Sequence, residues 1–380
     1  MTFSNDSQWN ILRRDKWLLS CLTWLPILLS VSIWAIFSQG IARNLPVGVV
    51  NLAPSALSQT LVRYYDASPT MAVTATYQSV EQAKDALVEG DIYAYAVIPA
   101  NFEQDVIKQF APQVSVFYNS QAILIGKLLN SAFLQSQATF NAQISTFSQL
   151  SHGNQTLSSA MAKAVPIRSQ ITPLFNLNSD YAQFLVSAVI PALWQITVVV
   201  STILILAANL RQRSLTQWLG VKPFSNLCST LAPYLPIFVF QGFAFLIWFY
   251  QGFDWPINGS LAWLTVGIIV TTLACVIMGS FFFFMTLDAA RAMSFAGAFT
   301  APSFAFMGIT FPVTDMNGFA QFWRSLLPIS HYIELQVGQV SYGASAHHAL
   351  TQLIPMLGYL VPMLLCMALI QKHLRKEPVT

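Results

Sequence analysis

Few side chains in this sequence of 380 residues are equipped for chemistry. His331 and Glu334 stand three apart, so a helix would put them on one face, where they could hold a metal or simply meet water. Asp288 and Arg291 share that spacing and could serve proton or ion coupling, or form an ordinary loop pair on the cytoplasmic side. His347 and His348 are adjacent and would point apart on a helix. No GxxxxGK(S/T) segment exists; Gly126 and Lys127 lack the upstream glycine and the following Ser or Thr that would hold magnesium. GxSxG, HExxH and GxGxxG are missing too. The chain is expected to be no enzyme and to bind no nucleotide, cofactor or metal. Cys21, Cys228, Cys275 and Cys366 all lie in or beside apolar segments without CxxC spacing, which points to packing and not to disulfides or zinc.

The more specific signal is for docking. Ser214 reads as a helix cap with Gln217 at the capping-box position, and Gly220 as the stop. Between them Leu215, Trp218 and Leu219 form an apolar stripe, preceded by Arg211 and Arg213. So short a helix is not stable alone, so the stripe must rest on lipid or dock into a partner subunit. Near the start, Trp9 and Leu12 flank Arg13, Arg14 and Lys16, as in an amphipathic helix lying on a membrane over residues 1–16.

Composition dictates what positions these residues. Hydrophobic residues make up 55% and charged ones 9%, against roughly 25% charged in a soluble domain. Mean hydropathy is +0.55. Too few charges exist to cover a soluble fold, so the chain is an integral membrane protein. The net charge of +3 is dispersed, which excludes a nucleic-acid stripe. A span needs about 20 mostly apolar residues. Six stretches qualify, near 17–37, 184–208, 229–249, 261–285, 293–313 and 351–370, and none has Asp, Glu, Lys or Arg in its core. Arg13, Arg14, Lys16, Arg211, Arg213, Lys222, Arg291, Lys372, Arg375 and Lys376 would all flank one side, so both termini are expected in the cytoplasm. The first stretch is longer than a signal core and no A-x-A site follows, so it reads as a retained anchor.

Residues 38–183 are long enough for a folded extracytoplasmic domain. Strand patterns recur at 47–52, 71–77, 92–98 and 114–118, with Met71, Val73, Ala75 and Tyr77 alternating onto one face. Ser79 with Gln82, and then Asn101, open helices, and Gly90 ends one. This predicts an α/β domain. A helix over about 120–150 is too long for such a domain and reads as a stalk or a return to the membrane; residues 152–163 are polar, and Pro166 and Pro173 punctuate the approach to the second span. The remainder, 184–380, would be a five-helix transmembrane domain. Within it, near 315–345, Phe319, Phe322, Trp323, Leu326 and Leu327 form an amphipathic stripe stopped by Pro328, and Ile333, Val337 and Val340 form a second; both read as interfacial helices.

This layout resembles that of type 2 ABC exporter permeases, in particular the bacterial multidrug-efflux-like branch with a large periplasmic domain. The resemblance rests on SVEQAKDALVEGDIYAYAVIPANF at 79–102, PLFNLNSDYAQFLVSAVIPAL at 173–193, NLRQRSLTQWLGVKPFS at 209–225 and FMGITFPVTDMNGFAQFWRSLLPISHYIE at 306–334. Ala53, the Gln212-Arg213-Ser214 run and Asn317 depart from the family's usual residues. The resemblance implies six transmembrane helices and an inner-membrane permease without an ATPase motif of its own. A separate ABC ATPase subunit would meet a coupling helix near 214–220, contacted through Arg211, Arg213, Leu215, Trp218 and Leu219. It also implies a homodimer or a heterodimer with a related permease, an adaptor protein in the periplasm, and bends at Pro191, Pro302 and Gly308 for moving a drug or lipophilic compound outward. The alternatives are a membrane-anchored sensor and an ion-coupled carrier; the carrier would require buried charges, and none is evident in the span cores.

Overall fold

A computed structural model describes residues 8–108, 110–151, 157, 159, 161, 174–176 and 180–376. Most of the polar stretch 152–163, with Pro166 and Pro173, lies outside the described residues. The chain divides into two compact units, one of Met1–Gly40 with Pro173–Thr380 and one of Ile41–Thr172.

The helical unit begins with α1 (Gln8–Arg14), α2 (Lys16–Leu22) and α3 (Trp24–Phe37). α2 and α3 together are apolar enough to span a membrane, but they are bent by 47° at Thr23.

In the second unit the strands β1 (Leu45–Asn51), β2 (Met71–Tyr77), β3 (Ala94–Ile98) and β4 (Ser115–Tyr118) make one sheet in the order β2-β1-β3-β4. β1 pairs parallel with β2 and β3, and β4 closes the edge antiparallel to β3. Helices α4 (Ala56–Asp66) and α5 (Val80–Glu89) make the two parallel crossovers; α6 (Phe102–Ile107) and the 29-residue α7 (Ile123–Ser151) follow. Both faces of the sheet are covered, so β1 is buried along almost its whole length. Val47, Val49, Leu61, Tyr65, Phe102 and Phe133 form one core, and Val50, Ala83, Ile92 and Tyr95 form the other.

Four local expectations differ from the structure. The register of β1 against β2 shifts between Val47 and Gly48, skipping Thr74. Met71 and Val73 consequently pack into the first core and Tyr77 into the second, because one extra residue moves the following side chains to the other face. Helix α7 is no stalk: Leu129, Ala132, Phe133 and Phe140 are buried in the first core, and Gln137 Nε2 donates to the Tyr65 hydroxyl at 2.9 Å. Asn101 sits at the N-cap position of α6 without a side-chain cap bond. Ser79 does cap α5, accepting from Gln82 N–H, but the Gln82 side chain turns to the Gln78 backbone, so the box is not closed. The box that closes is Ser55 with Ser58, at the start of α4.

The helical unit resumes with a π-helical turn, Ala182–Val186, leading into α8 (Ser187–Gln212). Next come α9 (Leu215–Leu219), α10 (Pro223–Leu231), α11 (Leu235–Ile247) and α12 (Leu261–Thr286). The last segment holds α13 (Ala289–Thr300), α14 (Ser303–Phe306), α15 (Gly318–Ser325), α16 (Pro328–Val340), α17 (Ala346–Leu353) and α18 (Leu360–Leu374). Among the described residues, four helices are long and apolar enough to cross a membrane, or five if the bent α2–α3 pair counts as one. The stretch 293–313, expected as the fifth of six spans, is broken. Its helix stops at Thr300, Pro302 has no N–H to carry the bonding on, α14 adds only four residues, and Gly308 takes φ +87°.

Helix α16 lies inside this unit. Eleven of its 13 residues are buried, so it is a core helix and not an interfacial one. The neighbouring α15 does turn its stripe outward, with Phe319 and Phe322 exposed. Close approaches hold the bundle together: a Cβ on Gly279 in α12 would lie 2.9 Å from both Thr202 Cβ and the Val199 carbonyl oxygen in α8.

Candidate functional site

Helix α9 forms because Ser214 and Gln217 close their capping box, each side chain accepting from the other's backbone N–H at 3.3 Å. The apolar stripe is already occupied, however. Leu215, Trp218 and Leu219 are buried within this chain, the Trp218 indole N–H donates to Thr230 Oγ1 at 2.9 Å, and its ring lies 6.1 Å from that of Phe284. Sequence reasoning offered lipid or a partner for this stripe; the chain's own α10 and α12 take it. A partner would meet the other side, where Gln217, Val221, Lys222 and Phe224 are exposed.

Around α9 lies one end of the bundle. Arg211 makes a 2.6 Å ion pair with Asp15, an exposed guanidinium on a half-buried carboxylate and thus a weak contribution by itself. Asp15 also caps α2, accepting from Leu18 N–H. Arg213 is half-buried. The side chain of fully buried Asn209 exchanges hydrogen bonds with Gln8, and the Tyr234 hydroxyl donates to the Gln8 carbonyl. These bonds dock α1 on α8, with Ile11 and Leu12 buried beneath it. His373 at the end of α18 lies 3.1 Å from the carbonyl oxygen of Phe284. Asp288 belongs to the same end: its carboxylate caps α13 by accepting from Arg291 backbone N–H at 2.8 Å, and both side chains are exposed. It is a cap at the surface, without the burial that ion coupling requires.

Three proline and glycine positions were expected as bends. Pro191 lies inside α8, which continues through it. Its missing N–H leaves the Ser187 carbonyl without its helical donor, and Gln336 Nε2 supplies one at 2.9 Å. Pro302 stands at the break between α13 and α14. There Gln195 Nε2 donates to Ser303 Oγ at 3.1 Å, while Gln195 Oε1 accepts from Ile329 N–H at 2.9 Å. One buried amide thus ties α8 to the break and to the first turn of α16. Gly308 follows with its positive φ, and Arg324 packs beside it.

His331 and Glu334 each bond elsewhere. The Glu334 carboxylate is bound by Arg324 and by Gln352 Nε2, the latter at 2.9 Å. His331 Nε2 lies 3.1 Å from the Ser325 carbonyl. Burial pushes the His331 imidazole below its ordinary pKa; the Ser325 hydrogen bond opposes this and the Arg324 charge adds to it. No group of three or more metal-ligating side chains occurs among the described residues.

Sequence reasoning missed Gln195, Asn209, Gln241 and Gln336. A search of the apolar segments for charges passes over amides. Yet an amide inside an apolar helix is itself the signal, since its donors and acceptor must find partners without water.

No curated protein and no solved structure matches this chain. Family comparison matches residues 16–370 to the ABC-2 family transporter proteins. The match takes in the spans, α9 and the α/β unit alike, and the chain therefore belongs to the ABC-2 transporter family as a membrane component.

Proposed function

We propose that the chain is the permease subunit of an ABC exporter, driven by a separate ATPase subunit. Two copies, or one copy with a related permease, form a pathway for a drug-like or lipophilic compound across the bacterial inner membrane. Both termini and α9 face the cytoplasm, and the α/β unit lies in the periplasm, where it receives substrate or holds an adaptor. The observation that carries this reading is the anchoring of α9. Its buried stripe is wedged against Thr230 and Phe284, so a push on its exposed side bears on α10 and α12. Membership in a family whose members work with separate ATPases supplies the partner. The absence of a buried charge at Asp288 and Arg291 weighs against the carrier reading.

Val221→Glu/Phe224→Glu alters the exposed surface just beyond α9, in the turn and at the start of α10, and leaves the buried stripe intact. Losing such apolar anchors costs about 2 kcal/mol or more, so co-purification of the ATPase in mild detergent is expected to fall by roughly tenfold or more. Unchanged association, with unchanged ATP hydrolysis in vesicles, would exclude the α9–α10 turn as the coupling surface and favour the sensor reading.

A further inference from the structure

A lateral groove of about 620 Å³ lies between the bent α2–α3 pair, α8 and α11. Its walls are apolar, with Ile27, Ile190, Leu193, Ile237, Phe240 and Trp248 prominent, and among the described residues no charged side chain lines it. Its volume falls within the roughly 300–1,000 Å³ usual for small-molecule sites. Four residues on from Leu22 stands Pro26, which has no N–H to give, so the Leu22 carbonyl lacks its helical donor; Gln241 Nε2 donates to that oxygen at 3.0 Å. This bond fixes the amide, and the opposite atom, Gln241 Oε1, is buried without a partner. Of the lining hydroxyls, Thr23 and Thr197 donate to the carbonyls of Leu19 and Leu193, and Ser30 makes no bond to Gln241 Oε1. Helix α3 forms the outer wall and buries none of its residues.

We propose that this groove binds an uncharged lipid bearing a free hydroxyl, its acyl chain against α3, α8 and α11 and its hydroxyl donating to Gln241 Oε1. A buried acceptor away from water is costly until a donor arrives, and one hydroxyl suffices. A charged headgroup would find no counter-charge in the lining. The site needs only a bilayer around the chain, so it stands or falls independently of the ATPase-driven reading.

The test uses the full-length protein in phosphatidylcholine vesicles. The probe is a monoacylglycerol with a diazirine in its acyl chain, set against the same molecule with both hydroxyls methylated. Labelled peptides are expected to centre on residues 22–31 and 237–248. The free-hydroxyl probe should label at about fivefold lower concentration, the worth of one hydrogen bond near 1 kcal/mol. Ala244→Trp, which fills the groove from its exposed rim, should cut that labelling about tenfold, an interference of about 1.4 kcal/mol. Equal labelling by the two probes would overturn the hydroxyl contact. Labelling spread evenly onto the outward residues Leu360, Val361 and Leu364 would overturn the site, leaving annular lipid only. Should Ala244→Trp fail to give monodisperse protein, the two-probe comparison on the unaltered chain decides alone.

Discussion

Helices α3 and α12 are both strongly apolar, yet α3 buries none of its residues and α12 buries 14 of 26. In the α/β unit such a disparity does not arise. There the amphipathic α4 and α5 turn their apolar faces to the sheet, with Leu61 and Tyr65 or Ala83 and Ala86 buried. Water accounts for the difference. Around a soluble unit the solvent rejects apolar side chains, so periodicity marks the buried face. Around a bundle in a bilayer, lipid accepts what the protein interior accepts. Hydropathy then says that a helix is in the membrane and nothing about which face meets protein. In such a bundle, small residues and paired amides set the packing.

The sharpest test of that comparison uses two glycines in apolar helices. Gly279→Leu would drive a side chain into Thr202 and the Val199 carbonyl, whereas a Cβ on Gly297 meets nothing within 4 Å. Gly279→Leu is expected to destabilise by about 3 kcal/mol and Gly297→Leu to be neutral, read as thermal aggregation of detergent-solubilised protein. Equal behaviour would show that close packing does not hold α8 to α12. A smaller effect is expected at Gln195→Leu, which strands the Ile329 N–H and the Ser303 hydroxyl at nearly constant volume. The cost should be about 1–3 kcal/mol for the unpaired groups, with hydrogen exchange rising first at the start of α16. Uniform exchange along α16 would refute the tie. The smallest effect belongs to the α/β unit: Ser79→Ala removes the cap on Gln82 N–H and should cost about 1 kcal/mol, with loss of protection confined to α5. Unchanged exchange in α5 would mean that packing alone holds that helix end.

Much of the α/β unit was legible because its signals are local. Ser79 and Gly90 bracket α5, and Met71–Tyr77 is the observed extent of β2. What was not legible there depended on pairing. The skip at Thr74 exists only where β2 lies against β1, and it alone moves Tyr77 to the other core. In the helical unit the capping box of α9 was legible for the same local reason. The use of its stripe was not, because Leu215, Trp218 and Leu219 would look the same docked on lipid, on a partner or on Thr230 and Phe284. Arg324 and Glu334 were legible as charges, but only the turn between α15 and α16 brings them together.

By itself the sequence determined that this chain lives in a bilayer, where an extra unit interrupts the apolar segments, and where short capped helices start and stop. Composition and hydrogen-bonding reach over three or four residues suffice for those. The tertiary structure alone decided that α16 is buried and α3 peripheral, and that the stretch 293–313 breaks at Pro302. It also decided that Gln195 and Gln336 serve backbone groups far away in the chain. Each of these depends on which apolar surface meets which, and between surfaces of equal hydropathy only shape and a few buried polar atoms make the choice.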